Sequence, residues 1–283
     1  MRAALLLPLL LAGCVAESAG NFENKDTHAE PWVGHWDEAC TRHPEKAATA
    51  PLRRGRHMET QTLKLGAGVA VDLGGQAHVL VVVEGSGALA GAGWSHPLEP
   101  GNVALLPPGG ATLLANEELR ALLVSPVEAT AGTAAPPRVF SVEELFPPRL
   151  TERRPGGLIE LGRQPGLSLH AAAMTKLAGM ARHAHLAHDE FLFFLSGTGT
   201  LGLGSEAGAD SGSRGDTQLK RGYVSSAVSE RALAFLPASA PHSYLNEGDT
   251  ALVLQIFAPG FDGKDGFAPP DARKQPTAVL REN

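Results

Sequence analysis

Three histidines and one glutamate in this chain are spaced so that they could share a metal ion. His183 and His185 are one residue apart, and on an extended segment side chains alternate, so both imidazoles leave the same face. Glu190 lies five residues beyond His185, the wrong parity for one unbroken strand, so a turn or bulge within residues 187–189 must reset the face first. Far downstream, His242 follows Pro241 in a short stretch with strand and turn character. Three neutral imidazoles and a carboxylate suit one first-row divalent ion, and octahedral coordination would leave about two positions open. Isolated histidines in apolar strands are ordinarily hydrogen-bonded core residues; four donors in this order make coincidence a poor account. His188 falls in the turn between the two strands, where a solvated loop histidine is the simpler reading, with a fifth ligand or proton shuttle as the alternative.

Both segments resemble the motifs of the cupin superfamily. His183, His185, Glu190 and Gly197 match the first motif: His-x-His, three or four residues, Glu, six residues, Gly. Pro237, His242 and Asn246 match the second, Pro-x-Gly-x-x-His-x-x-x-Asn. The resemblance implies that these segments are strands of a small antiparallel β-barrel. It also implies that His183, His185, Glu190 and His242 hold the metal (Mn, Fe, Ni, Cu or Zn). Three glycine positions of the pattern are filled differently, by Leu177, Arg231 and Ser239. Glycines shape turns there, so the turns must be built another way.

Elements able to position such a site are nearly all strands. Among 283 residues are 33 glycines and 21 prolines with few aromatics, which favours many turns over long helices. Strand-like runs and turns between residues 62 and 125 parallel those of the later half. Setting Gly85 against Gly197 puts His78 where Glu190 stands, with no histidine at the places of His183 and His185. The expected fold class is therefore all-β, two antiparallel cupin barrels in tandem, a bicupin whose first barrel has lost its metal. The boundaries are a signal over residues 1–14, a tether over 15–61 and the degenerate barrel over 62–128. A linker follows over 129–150, then the metal barrel over 151–263 and a tail over 264–283. Within the tether, His28, Trp32, His35, Trp36, Cys40 and His43 cluster; tryptophans pinning the segment to a barrel is preferred over a second metal site. Ser141 and Glu144 form a capping-box pattern for one short helix. Residues 190–195 are apolar on both faces apart from Glu190, as in a strand covered outside by the partner barrel or a terminal arm. Residues 202–216 read as a loop whose Glu206, Asp210 and Asp216 lack calcium-loop spacing.

The chain begins with Arg2, an apolar run over residues 3–11, and Leu11, Ala12, Gly13 and Cys14. This resembles a bacterial lipobox, and implies cleavage before Cys14 and a lipid on that cysteine, with an ordinary secretory signal as the alternative. The run is too short to span a bilayer permanently. A cell-envelope location follows, on the outer membrane if the cell is diderm. Of two cysteines only Cys40 would then remain, so no internal disulfide is expected. Without a twin-arginine the protein would be exported unfolded and loaded with metal outside the cytosol, where the affinity order favours copper and zinc.

Net charge is −6, and the one basic cluster, residues 53–57, carries no interleaved aromatics, so nucleic acid is not an expected partner. A small-molecule ligand or substrate is expected, and a homo-oligomer is left open. Two residues besides His188 could act in the cavity. Tyr244 shares the face of His242, and Gln255 is the one polar residue of its strand; packing at the rim and an outward orientation are their plain alternatives. No Gly-x-Ser-x-Gly nucleophile occurs. Two classes stay open: a metal-dependent enzyme of dioxygenase or decarboxylase type on a small polar or phenolic metabolite, and a non-catalytic binding protein whose metal holds a ligand or stabilises the barrel.

Overall fold

The computed structural model describes residues 30–41, 49–109, 111–128, 135–146, 158–204, 223–261 and 266–267. In chain order come β1 (Trp32–His35), α1 (Trp36–Thr41), β2 (Thr49–Arg54), β3 (Met58–Leu65), β4 (Ala70–Asp72), β5 (His78–Glu84) and β6 (Gly87–Gly91). Next are β7 (Trp94–Leu98), β8 (Val103–Leu106), β9 (Thr112–Ala115), β10 (Leu119–Pro126), β11 (Arg138–Phe140) and α2 (Val142–Leu145). The later half holds β12 (Leu158–Gln164), β13 (Leu167–Thr175), β14 (Gly179–His185), β15 (Asp189–Ser196) and β16 (Gly199–Gly204). It ends with β17 (Tyr223–Val228), β18 (Ala232–Leu236), β19 (His242–Asn246), β20 (Thr250–Ala258) and β21 (Gly266–Phe267).

These strands form two barrels of the same topology. In the first, a sheet ordered β11-β8-β5-β10-β3-β2 faces a sheet ordered β4-β9-β6-β7. In the second, β1-β18-β15-β20-β13-β12 faces β17-β16-β19-β14-β21. Adding ten to the labels β3–β10 turns one pattern into the other. Only the edges break the rule: β11 completes the first barrel's sheet, β1, from the far end of the chain, completes the second's, and β21 extends the second barrel's other sheet beside β14.

Alternation along the strands builds three apolar layers. Val79 and Val81 of β5 and Phe191 and Phe193 of β15 enter one layer between the barrels, where the two six-stranded sheets lie back to back. Leu80 and Val82 turn instead into the first barrel, and Leu192 and Phe194 into the second. Strands buried on both faces read as unbroken apolar runs for this reason. The first barrel is packed with leucines, among them Leu63, Leu80, Leu89 and Leu113. His78 pairs with Leu106 as Glu190 pairs with Leu236, so the two occupy corresponding places. His78 is buried, with Nδ1 2.7 Å from Ser125 Oγ in a hydrogen bond, and burial lowers its pKa to about 4.

The supposed tether is more ordered than the sequence suggested. β1, α1, β2 and the start of β3 all lie within residues 15–61. β1 pairs antiparallel with β18, Arg53 stacks over the Trp32 ring at 4.5 Å, and Trp36 is wholly buried between the barrels. Four residues are too few to show a period, and the strand exists because it satisfies an otherwise open sheet edge. Cys40 is half-buried against the same layer, and burial pushes its thiol up to about 11. The linker likewise carries β11, paired with β8, and α2, whose Ser141–Glu144 capping box forms in full. Part of the tail returns as β21 against Ala184 and His185. The signal, Cys14, His28, His43, the acidic residues of the 202–216 loop and most of the tail lie outside the described residues. Among the described residues no helix is long and apolar enough to cross a membrane.

Candidate metal centre

The four donors come from three strands. β14 ends with His183 and His185, Leu186 and Ala187 make the turn, and β15 opens with Asp189 and Glu190. β19 begins with His242, directly opposite His183 in register. One donor atom from each of His183, His185, Glu190 and His242 lies within 4.8 Å of all the others. His183 Nε2 is 3.2 Å from His185 Nε2, and Glu190 Oε2 is 3.6 Å from His185 Nε2 and 3.0 Å from His242 Nε2. Among the described residues this is the one such cluster, so none includes His35 or Cys40.

A turn across residues 237–240 fixes the orientation of the donors. Ala240 N–H donates to Pro237 O, and Ser239 N–H donates to the His185 carbonyl at 2.7 Å. The Ala240 carbonyl accepts Nδ1–H of His242 at 3.0 Å, which leaves Nε2 aimed at Glu190. Leu177, Arg231 and Ser239, the three residues at glycine positions of the motifs, all adopt positive φ, at 62°, 65° and 69°. The turns keep their left-handed shape, and side chains bear the strain that glycine would avoid.

Electrostatics favour a cation here. Glu190 is 1% exposed, and neither of its oxygens has a hydrogen bond of good geometry. Burial alone would raise its pKa; the imidazoles of His242, His185 and His183 outweigh that and hold it near 2. Burial likewise opposes charge on His242, yet the Glu190 carboxylate raises its pKa. A buried carboxylate ringed by imidazole nitrogens is a donor set that fits a divalent transition metal.

The remaining predicted residues fall in three different settings. His188 is buried, contrary to the solvated-loop reading; its Nδ1–H donates to Pro259 O at 2.6 Å, and its ring is 6.4 Å from that of His185. The chain beyond β20 folds over it, which a turn composition does not reveal. Gln255 points into the barrel, where its Nε2 meets Met180 Sδ at 3.3 Å. Tyr244 is buried inside the barrel against Phe194, not at a rim. Its hydroxyl lies over Gly199, where a Cβ would come within 2.7 Å of it, and burial pushes its pKa up to about 12. Gly199 pairs with Asn246 rather than His242, so that hydroxyl reaches away from the end that carries the four donors.

Sequence reasoning missed three neighbours. Phe261 packs 4.8 Å from the His185 ring and stacks on Phe257. His170 lines the barrel at 5.2 Å from Phe257, with Nε2 2.9 Å from Ser168 Oγ, and burial lowers its pKa to about 4. Asp189 is fully buried on the face opposite Glu190 and accepts backbone N–H groups from His57, Met58 and Ala238. Its signal was available: a charged residue of that parity in an apolar strand must meet donors in the layer between the barrels.

No family model matches the chain. An uncharacterised protein of Aquifex aeolicus (strain VF5) is 28% identical over 131 residues, 46% of this chain and 92% of that protein. Among solved structures, a cupin 2 conserved barrel domain protein from Leptotrichia buccalis has a TM-score of 0.59 at 13% identity, covering 83% of this chain and 98% of the other. A salicylate 1,2-dioxygenase from Pseudaminobacter salicylatoxidans has a TM-score of 0.62 at 13% identity, covering 83% and 85%. An oxalate decarboxylase structure has a TM-score of 0.50, again at 13% identity, covering 75% and 70%. Such identities speak to architecture alone, and the architecture, two antiparallel β-barrels in tandem, is similar to that of these cupin structures.

Proposed function

We propose that this chain is a bicupin metalloenzyme of the cell envelope, with one divalent transition metal held by His183, His185, Glu190 and His242 in the second barrel. The observation that carries the reading is the convergence of those four donors around a carboxylate with no other good hydrogen bonds. Bound there, the metal would polarise a coordinated oxygen group of a substrate or, if redox-active, bind dioxygen. The chain's own part is to orient the imidazoles through the turn at residues 237–240 and to wall the site with Phe257 and Phe261. Among the described residues of the first barrel no donor cluster surrounds His78, which is engaged with Ser125.

The substrate we infer is a small polar or phenolic metabolite, and the reaction an oxygenation or decarboxylation. Support comes from the salicylate dioxygenase and oxalate decarboxylase among the similar folds, and from a variant of that dioxygenase solved in complex with gentisate. Envelope anchoring through Cys14 rests on Arg2, the apolar run and the residues Leu11, Ala12, Gly13 and Cys14. Copper or zinc is the expected metal for a site loaded outside the cytosol.

The test is purification from the native envelope with elemental analysis, then assays of oxygen uptake and carbon dioxide release on phenolic carboxylates and small diacids. Turnover that disappears in His183→Ala, and that returns to stripped wild type with added metal, supports the enzyme. Manganese or iron as sole occupant defeats the copper or zinc assignment. One observation favours a non-catalytic binding protein instead: the Tyr244 hydroxyl is turned to Gly199 and Gln255 is engaged with Met180, so neither presents itself to a substrate. Tight binding of a small ligand without turnover would establish that second reading.

A further inference from the structure

The first barrel bears none of the four donors, yet it reaches the residue beside one of them. Between β2 and β3 the chain turns through Gly55, Arg56 and His57, and this turn docks on Asp189. Asp189 Oδ2 accepts N–H of His57 at 2.6 Å and of Met58 at 3.0 Å, and Oδ1 accepts N–H of Ala238 at 2.9 Å. One fully buried carboxylate thus holds backbone from both barrels. On the side of the second barrel it holds two things that shape the metal centre. It is the chain neighbour of Glu190, and it grips the turn whose Ala240 carbonyl orients His242 and whose Ser239 N–H binds His185.

The fit is tight. A methyl group at Gly55 would stand 2.5 Å from Asp189 Oδ2 and 2.7 Å from Phe235 Cζ. Asp189 is tethered by three hydrogen bonds and Phe235 is packed between the barrels, so neither can yield without moving Glu190 or the turn.

We propose that the first barrel completes the metal centre of the second: its β2–β3 turn, acting through Asp189 as a positioning residue, sets the geometry and affinity of the donor set. This rests on the metal reading above. It also gives the first barrel a task beyond burying apolar surface.

The test uses the full chain, chelator-stripped and titrated with cobalt(II), with affinity and the visible cobalt spectrum as readouts. Circular dichroism of the metal-free proteins checks folding. Asp189→Asn and Gly55→Ala should each weaken cobalt binding by about tenfold, the lower end of what support-residue changes cost at metal sites, and alter the spectrum. Glu84→Gln removes a different tie between the halves, the 2.7 Å pair with Arg231, and should leave affinity and spectrum as in wild type. Should Asp189→Asn fail to fold, Gly55→Ala carries the test from the other barrel. Wild-type binding in Gly55→Ala, or an equal loss in Glu84→Gln, overturns the proposal while the ligand assignment stands. A wild-type chain that takes up no cobalt overturns both together.

Discussion

His242 Nε2 stands 3.0 Å from Glu190 Oε2, although β19 and β15 belong to different sheets. The pair closes the barrel end and brings together donors more than fifty residues apart in sequence. Glu190→Gln keeps the shape and removes the charge. Metal content by elemental analysis should fall below about a tenth of wild type, since a neutral amide is a poor partner for a divalent ion.

Metal removal should also register as lost stability. An ion bound by the native state alone contributes about 2.7 kcal/mol when free metal is a hundredfold above Kd. Chelation should therefore lower the thermal midpoint of wild type by several degrees and leave Glu190→Gln unmoved. Calorimetry with and without chelator checks this.

Leu177 offers a gain. It is 65% exposed with φ of 62°, so its side chain gives little burial in return for a left-handed backbone. Leu177→Gly should raise stability by about 1 kcal/mol, read from the urea midpoint at unchanged m-value.

Acid should weaken the first barrel through His78. Its pKa is lowered from 6.5 to about 4 by burial, so below 6.5 the unfolded chain binds a proton that the native state refuses. The contribution is fully present above pH 6.5 and is lost as pH falls toward 4, by an amount on the order of 3 kcal/mol. His170 has the same sign. His78→Gln should remove roughly half of the slope of stability against pH in that window, because two such groups share it; urea titrations at pH 7.5, 6, 5 and 4.5 would measure it.

Trp36 is buried with no exposure in the layer between the barrels. Trp36→Ala should cost about 3–5 kcal/mol. Chemical denaturation followed by circular dichroism gives the figure.

The convergence of the four side chains was legible from residue type, spacing and the resemblance to the cupin motifs: two histidines on one strand face, a reset, a glutamate, a later histidine. The double-sided run at β15 likewise announced a strand with a second layer outside. Three things were not legible, each for a physical reason. β1 has no pattern of its own and is made by the edge it joins. His188 is buried by chain that returns from beyond β20. Tyr244 shares the face of His242, yet its hydroxyl is carried toward Gly199 by a ring that parity cannot steer. Leu177, Arg231 and Ser239 teach the reverse lesson: the conformation of a motif persisted where its customary glycine did not.

β1 joins Trp32 to Phe235 across most of the polypeptide. A ribosome must therefore release nearly everything before the opening strand finds its neighbour, and until then Trp36 has no lid. Splitting the gene between the halves would yield two mismatched fragments, the later one lacking β1 and the earlier one carrying it with nowhere to dock. The unit of folding is thus the pair, and any tension arriving through the front of the chain is felt first by the half that bears the histidines.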